Sequence, residues 1–422
     1  MKSSRITALT LISQLVSFSL AGASPSIQGP WRSSALDGRQ DYQLSYPTER
    51  DEALHSGFLG DIQAGGQVRI RPENLGGTSR LFSRTRLTLT FGKPGKTQYV
   101  IAGQDARDFT DHAPAAVAFN DAEVYWAYAQ FKREWGQAVL GLQSVPGLHD
   151  QRLISHLDWH IRRRNFTGAH VKWNKGHELI AGYMDRGLRA NGNNATLAGG
   201  SFRAGDFDIV ALHRSVVDSR LERNDTTWGF HLDEGNWNLS AYHQTGNRGA
   251  FDVDAWAAAG QIKKPLKGRL KPALMYEASY ASGDDDPTSG TIKTFDPLYN
   301  FAHFYNGYAD QVGWRNLLQM RGQISVKPGK NDTLWLDVHQ FWLANARDSW
   351  YAVNESARFR DATGASGTDL GWETDLAYKK AWPLLGLDIW GGTSWFFPLG
   401  FAKAAGVQKA VDFQYLQVTK NF

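Results

Sequence analysis

Phe413-Gln-Tyr-Leu-Gln-Val-Thr-Lys-Asn-Phe422 closes the chain as an apolar-alternating strand with a terminal aromatic residue. Leu416, Val418 and Phe422 share one face, and only Lys420 interrupts it, where an aromatic or aliphatic residue would be usual. A barrel crossing lipid must pair every backbone group and leave no sheet edge, so its last strand has to close the ring. The stretch therefore reads as the closing strand of a bacterial outer-membrane barrel, with Phe422 as its assembly signal. Taken alone it also fits an ordinary C-terminal strand of a soluble domain.

The other end of the chain points the same way. Lys2 and Arg5 give a basic start, Ile6 to Leu20 is a moderately apolar run, and Ala21-Gly22-Ala23 fits a small-residue cleavage site. Residues 1–23 thus read as a secretory signal, 24–60 as an N-terminal periplasmic segment and 61–422 as the barrel. No stretch approaches the roughly 18 consecutive apolar residues of a membrane helix. Mean hydropathy is −0.43, which suits a barrel because only alternate residues face lipid. Aromatic residues make up 13% of the chain, with 16 Trp, 15 Tyr and 22 Phe. That excess suits interfacial girdles, although soluble glycan-binding proteins are also rich in Trp. The absence of Cys excludes disulfide scaffolds and Cys-based metal sites. A net charge of +4 is a weak pointer to anionic partners.

Between the ends, strands alternate with short turns and long loops. The short turns are Gly92–Lys96, Lys132–Gly136, Asn174–His177, Ala204–Asp206, Asp233–Asn236, Lys264–Gly268, Lys327–Asp332 and Lys379–Pro383. Their Gly, Pro, Asn and Lys residues supply the backbone angles that hairpin reversals need. Eight hairpins, a strand near Ile62–Arg71 and the closing strand predict an all-β, antiparallel up-and-down transmembrane barrel of about 18 strands. Both ends of the barrel fall on the short-turn, periplasmic side. The long segments, 105–120, 145–164, 281–316 and 344–368, fall outside the cell. Period-2 alternation agrees: Leu87, Leu89 and Phe91 oppose Arg84, Arg86, Thr88 and Thr90, while Met320, Ile324 and Val326 oppose Arg321 and Gln323.

No catalytic motif is present: no nucleophile elbow, zinc-protease helix, phosphate loop or dinucleotide fingerprint. Asp284-Asp-Asp-Pro287 lacks the ligand spacing of a calcium-binding EF-hand and reads as a solvated outer loop facing lipopolysaccharide. Neither an enzyme activity nor a cofactor, a metal or a nucleic-acid partner is expected. The arginines carry the functional signal. A charge on the lipid face near the midplane costs roughly 2–4 kcal/mol, so strand arginines should face the lumen. Arg69, Arg71, Arg84, Arg86, Arg107, Arg152, Arg162, Arg164 and Arg321, with His339, are the candidate lining. Guanidinium groups grip carboxylates in pairs of hydrogen bonds, which suits an anion path. The alternative is internal neutralisation by Glu73, Asp105, Asp108 and Glu123.

Four stretches carry a family resemblance: Gly141-Leu-Gln143 with Asp150-Gln-Arg-Leu-Ile154, Trp159 and Phe166-Thr-Gly168; Tyr280-Ala-Ser-Gly-Asp284 with Thr294-Phe-Asp-Pro-Leu-Tyr299; His303, Gly307, Asp310 and Gly313-Trp-Arg-Asn316; and His339-Gln-Phe-Trp-Leu-Ala344 with Asp348-Ser-Trp-Tyr351. Together they resemble the alginate-export family of outer-membrane barrels. Leu142 stands where that family tends to carry Arg, and Thr167 where it tends to carry Asp, changes expected to alter the polar lining. The resemblance implies a monomeric 18-stranded barrel that passes a polyuronate through a loop-gated, cationic pore. It also implies functional positions at Asp296, His303, Asp310, Trp314, Asn316 and Asp348. Its partners would be outer-membrane lipids, lipopolysaccharide, the barrel-assembly machinery and an anionic saccharide. Other anionic saccharides or small acids, and uptake in place of export, fit a chain this short. The competing readings are a weakly selective porin and a secreted all-β carbohydrate-binding or glycan-lyase protein.

Overall fold

A computed structural model describes residues 54–56, 60–93, 95–109, 120–145, 147–184, 195–216 and 222–422. The expected signal, most of the segment 24–60 and much of the 105–120 loop lie outside the described residues.

Residues that alternate polar and apolar form the strands of the barrel wall. In order they are β1 Gly60–Leu75, β2 Thr78–Lys93, β3 Thr97–Asp108, β4 Asn120–Arg133, β5 Gly136–Gln143 and β6 Phe166–Trp173. Next come β7 Glu178–Met184, β8 Ala195–Ala204, β9 Phe207–Val216, β10 Arg223–Asp233, β11 Trp237–Arg248 and β12 Phe251–Pro265. The last six are β13 Ala273–Ala281, β14 Leu317–Val326, β15 Asp332–Leu343, β16 Asp369–Trp382, β17 Leu387–Pro398 and β18 Val411–Asn421. Each pairs antiparallel with the next, and β18 returns to β1 through Gln67↔Asn421, Arg69↔Thr419 and Leu75↔Phe413. The sheet is therefore a closed barrel of 18 strands, the number that the turns predict. A closed wall with an apolar outside rules out the soluble alternative.

The eight expected turns all join strands at one end, the end at which β1 begins and β18 finishes. One is misplaced in the sequence reading. β16 continues through Lys379 and Lys380 to Trp382, and the reversal is the 3-10 turn Pro383–Leu385. Pro383 presets the first angle of that turn, and Gly386 takes the left-handed conformation (φ 57°) that ends it.

Burial separates the two faces of the wall. Leu87 and Met320 are 60% and 57% exposed on the outside, while Arg84, Arg86, Arg321 and His339 are buried inside. Trp135, Phe202, Phe207 and Trp237 lie exposed beside the short turns; Tyr280, Trp372 and Phe397 lie toward the other end. These are the aromatic belts of a membrane barrel. The anomalous Lys420 sits at the short-turn end, where its ammonium donates to the Leu385 carbonyl and avoids hydrocarbon.

Candidate substrate path in the lumen

The barrel interior is occupied by its own loops. Residues 144–165, between β5 and β6, and 282–316, between β13 and β14, fold inward and bury Leu153, Ile154, Phe295, Leu298, Phe301 and Phe304. They are tied to each other by Tyr299 N–H to Leu153 O (2.8 Å) and Phe301 N–H to Gln151 O (2.9 Å). The connection 344–368 joins them, with Arg358 donating to Gln311 Oε1 at 2.8 Å.

The arginines of β1 and β2 grip the first of these loops. Arg69 donates to the Asp158 carbonyl (2.8 Å) and pairs with its carboxylate (3.1 Å). Arg71 donates to the Trp159 carbonyl (2.6 Å), pairs with Glu73 (3.0 Å) and lies 4.0 Å over the Trp159 ring. Arg84 reaches Ile161 O (3.4 Å), Gln67 (2.5 Å) and Asp158 (3.4 Å). Arg163 also pairs with Asp158, so one carboxylate answers three guanidinium groups. Arg86 has neutral partners: Gln104 at 2.6 Å, and the rings of Tyr125 and Trp126 at 3.8 and 4.7 Å. A β-bulge makes this cage possible. Ala102 pairs with Trp126 and Gly103 with Val124, so the extra residue Tyr125 turns inward beside Trp126. The positive field of this arc is felt at the half-buried His160. Burial first, then Arg71, Arg162, Arg164 and Arg84, push its imidazole down to about 3.

Elsewhere in the lumen the charges are paired more evenly. Arg152, carried inward on its loop, pairs with Glu277 (2.8 Å) and lies 3.9 Å over Tyr305. Arg321 bonds Asp337 (3.0 Å) and faces Glu277 (3.7 Å). Arg162 pairs with Glu123 at 3.2 Å, and Arg164 donates to Ser155 O and Tyr299 O. His339 faces Asp375 at 3.2 Å. Among the candidate lining arginines carried on strands, Arg107 is the one that does not face inward. It shares the outer face of β3 with the exposed Tyr99 and Ile101 and pairs there with Asp105 at 2.7 Å, at the strand's far end. Leu142 and Thr167 are likewise opposite one another on the outer face, so they leave the polar lining unchanged.

The family-motif residues knit the inner loops. Asp296 accepts from Arg214 (3.1 Å) and Arg223 (2.8 Å), anchoring 282–316 to β9 and β10. His303 stacks on Trp159 at 4.1 Å and bonds Asp310 at 2.7 Å. Trp314 packs against Phe295 at 5.4 Å. Asn316 bonds Asn345 O (3.0 Å) and Ser349 O (3.1 Å), and Asp348 accepts from Asp284 N (2.9 Å) and Thr294 Oγ1 (2.5 Å). Sequence reasoning left out Asp158, Arg214, Glu373 and Asp375. The strand members among these were readable, since Glu373 and Asp375 alternate with the outward Trp372 and Leu376. Asp158 carried no such signal, because it lies in a loop.

A family model described as "Alginate export" matches residues 194–405, half of the chain. No curated protein matches by sequence. Among solved structures, OccK8 (OprE) of Pseudomonas aeruginosa superposes with a TM-score of 0.58 at 14% identity, covering 87% of this chain and 99% of that one. OccAB1 of Acinetobacter baumannii gives 0.58 at 12% identity, covering 89% and 99%. OprD of P. aeruginosa gives 0.57 at 12%, covering 88% and 96%. At such identities the likeness speaks for the barrel fold.

Proposed function

The chain belongs to the alginate-export family and lies in the bacterial outer membrane, and from that premise we propose that it passes an anionic, carboxylated saccharide, with an alginate-type polyuronate as first candidate. One observation carries this reading. Asp158 is shared by Arg69, Arg84 and Arg163, and Arg86 beside them lies against Gln104 and the Tyr125 and Trp126 rings. That arc holds more positive charge than its acids neutralise. A carboxylate that displaced Asp158 and the loop carbonyls would find guanidinium donors already aimed at it. Several moderate sites of this kind let a polyanion move from one to the next. The protein then acts as a passive channel and catalyses no reaction, and the inner loops must shift for anything as wide as a sugar chain to pass.

A weakly selective porin is the second reading. It is favoured by the neutralised wall, where Arg152, Glu277, Arg321 and Asp337 form one chain of ion pairs. Planar-bilayer recording separates the two. The polyuronate reading expects anion-selective reversal potentials in a salt gradient and concentration-dependent block by oligouronates, both weakened in Arg86→Gln. Near-zero selectivity with no block by oligouronates would sink it.

A further inference from the structure

Four ionisable residues form a compact block on the inner face of β15 and β16. Asp337 stands directly opposite Asp375, and His339 opposite Glu373. All four are 1% exposed or less. Directly opposed carboxylates repel, and a buried charge needs a partner. Asp337 has partners: Arg321 Nε at 3.0 Å and Gln323 Nε2 at 2.9 Å. The other two have no cationic partner. Neither oxygen of Asp375 accepts a hydrogen bond, nor does Oε2 of Glu373, and no Lys or Arg among the described residues pairs with either. Asp310, bonded to His303, adds negative charge nearby.

His339 does not supply the missing charge. Its Nδ1 accepts from Gln319 Nε2 at 3.0 Å, and that amide also donates to Tyr305 O at 2.8 Å, which fixes its orientation. The imidazole proton therefore sits on Nε2, which lies 3.2 Å from Asp375 Oδ2 but is not aligned for a hydrogen bond. A metal on Nε2 would need that proton moved to a nitrogen already facing a donor, so His339 suits a supporting hydrogen bond better than a metal bond. Oxygen donors remain. Ligand atoms of Asp337, His339 and Asp375 lie within 4.8 Å of one another. Glu373 meets Asp375, and the buried Ser394 hydroxyl, opposite Asp375 on β17, has no partner.

We propose that Asp337 and Asp375, with Glu373 reaching in from beside Asp375 directly or through water, bind one hard divalent cation, Ca2+ or Mg2+, whose two charges offset the two carboxylates that no Lys or Arg pairs. Such ions take carboxylate, hydroxyl and water oxygens in flexible numbers. The site also touches the inner loops. Oε1 of Glu373 accepts the Ala309 N–H at 2.8 Å, and a side chain at Gly307 (φ 91°) would collide with the same carboxylate. Cation binding at Glu373 thus steadies the seat of loop 282–316. The site does not depend on which solute the channel carries.

The test uses the full mature chain refolded into detergent without lipopolysaccharide, stripped with EDTA and dialysed against CaCl2. The wild type should retain one more equivalent of Ca2+ than Asp375→Asn or Glu373→Gln, and its melting temperature should rise on adding Ca2+ or Mg2+. Both variants should show no such rise and, in EDTA, should melt above the wild type, because the repulsion is gone. That gain also distinguishes loss of the site from misfolding. Equal Ca2+ retention in wild type and variants, or a wild-type melting temperature indifferent to Ca2+ and EDTA, would mean that the two carboxyls share a proton, and would overturn the proposal. A rise with ZnCl2 larger than with CaCl2 would make His339 a ligand and overturn the oxygen-only assignment.

Discussion

At Gly66 the barrel seam depends on a missing side chain. Gly66 and Phe422 exchange backbone hydrogen bonds at 2.7 and 3.0 Å, and a Cβ at Gly66 would lie 2.6 Å from the Phe422 ring. Gly66→Val and deletion of Phe422 should therefore fail alike, with little folded barrel in the outer membrane. Cell fractionation with heat-modifiable gel migration checks this, and normal membrane levels of either variant would refute it. Arginine substitutions should divide by their partners. Arg321→Gln strands Asp337 without its guanidinium while Glu277 keeps Arg152, a change that typically costs about 3–5 kcal/mol, read as a lower denaturant midpoint. Arg86→Gln loses a hydrogen bond and a ring contact worth about 1–3 kcal/mol, and should move the reversal potential toward cations. Buried pairing is why a lumen arginine here is not the freely removable charge that a water-filled pore would contain.

At the scale of elements, the inner loops hold conformations that ordinary side chains disfavour. Leu157 (φ 53°), Arg163 (φ 63°) and Leu298 (φ 56°) all take the left-handed region. Such residues cost of order 1–3 kcal/mol each and persist where surrounding contacts over-determine them, often at switches. Here the contacts are the arginine grip on Asp158, Trp159 and Ile161, and the Tyr299–Leu153 and Phe301–Gln151 bonds. Leu157→Gly should remove most of one such cost and hold the loop more firmly in place. Single-channel recording should then show rarer openings than the wild type; more frequent openings would mean that the loop is not the barrier.

For the whole molecule, the connections set orientation. Short turns gather where β1 begins and β18 ends, and the loops of 282–316 and 344–368 leave from the other end. Barrels of this kind keep short turns in the periplasm, so the exposed tip around Ser289 should face outward. An epitope inserted at Ser289 should bind antibody on intact cells. Labelling only after the outer membrane is permeabilised would reverse the orientation.

Strand number, closure and the facing of Arg84, Arg86 and Arg321 were legible from the sequence, because period 2 and turn chemistry are local: each strand states its own two faces within a few residues. Phe422 and the Lys420 exception were legible for the same reason. Arg107 was misread because it lies on the outer face of its strand, where a position at the strand's far end tolerates a charged pair. What the arginines touch could not be read. The Arg69–Asp158 pair spans 89 residues, and a loop's polar and aromatic content is the same whether it stands in water or folds into a barrel. Asp337 and Asp375 alternate correctly on separate strands, yet their opposition is a matter of register between β15 and β16. Only closing the ring and seating the loops decided which charges are paired, which are left over, and therefore what the lumen can hold.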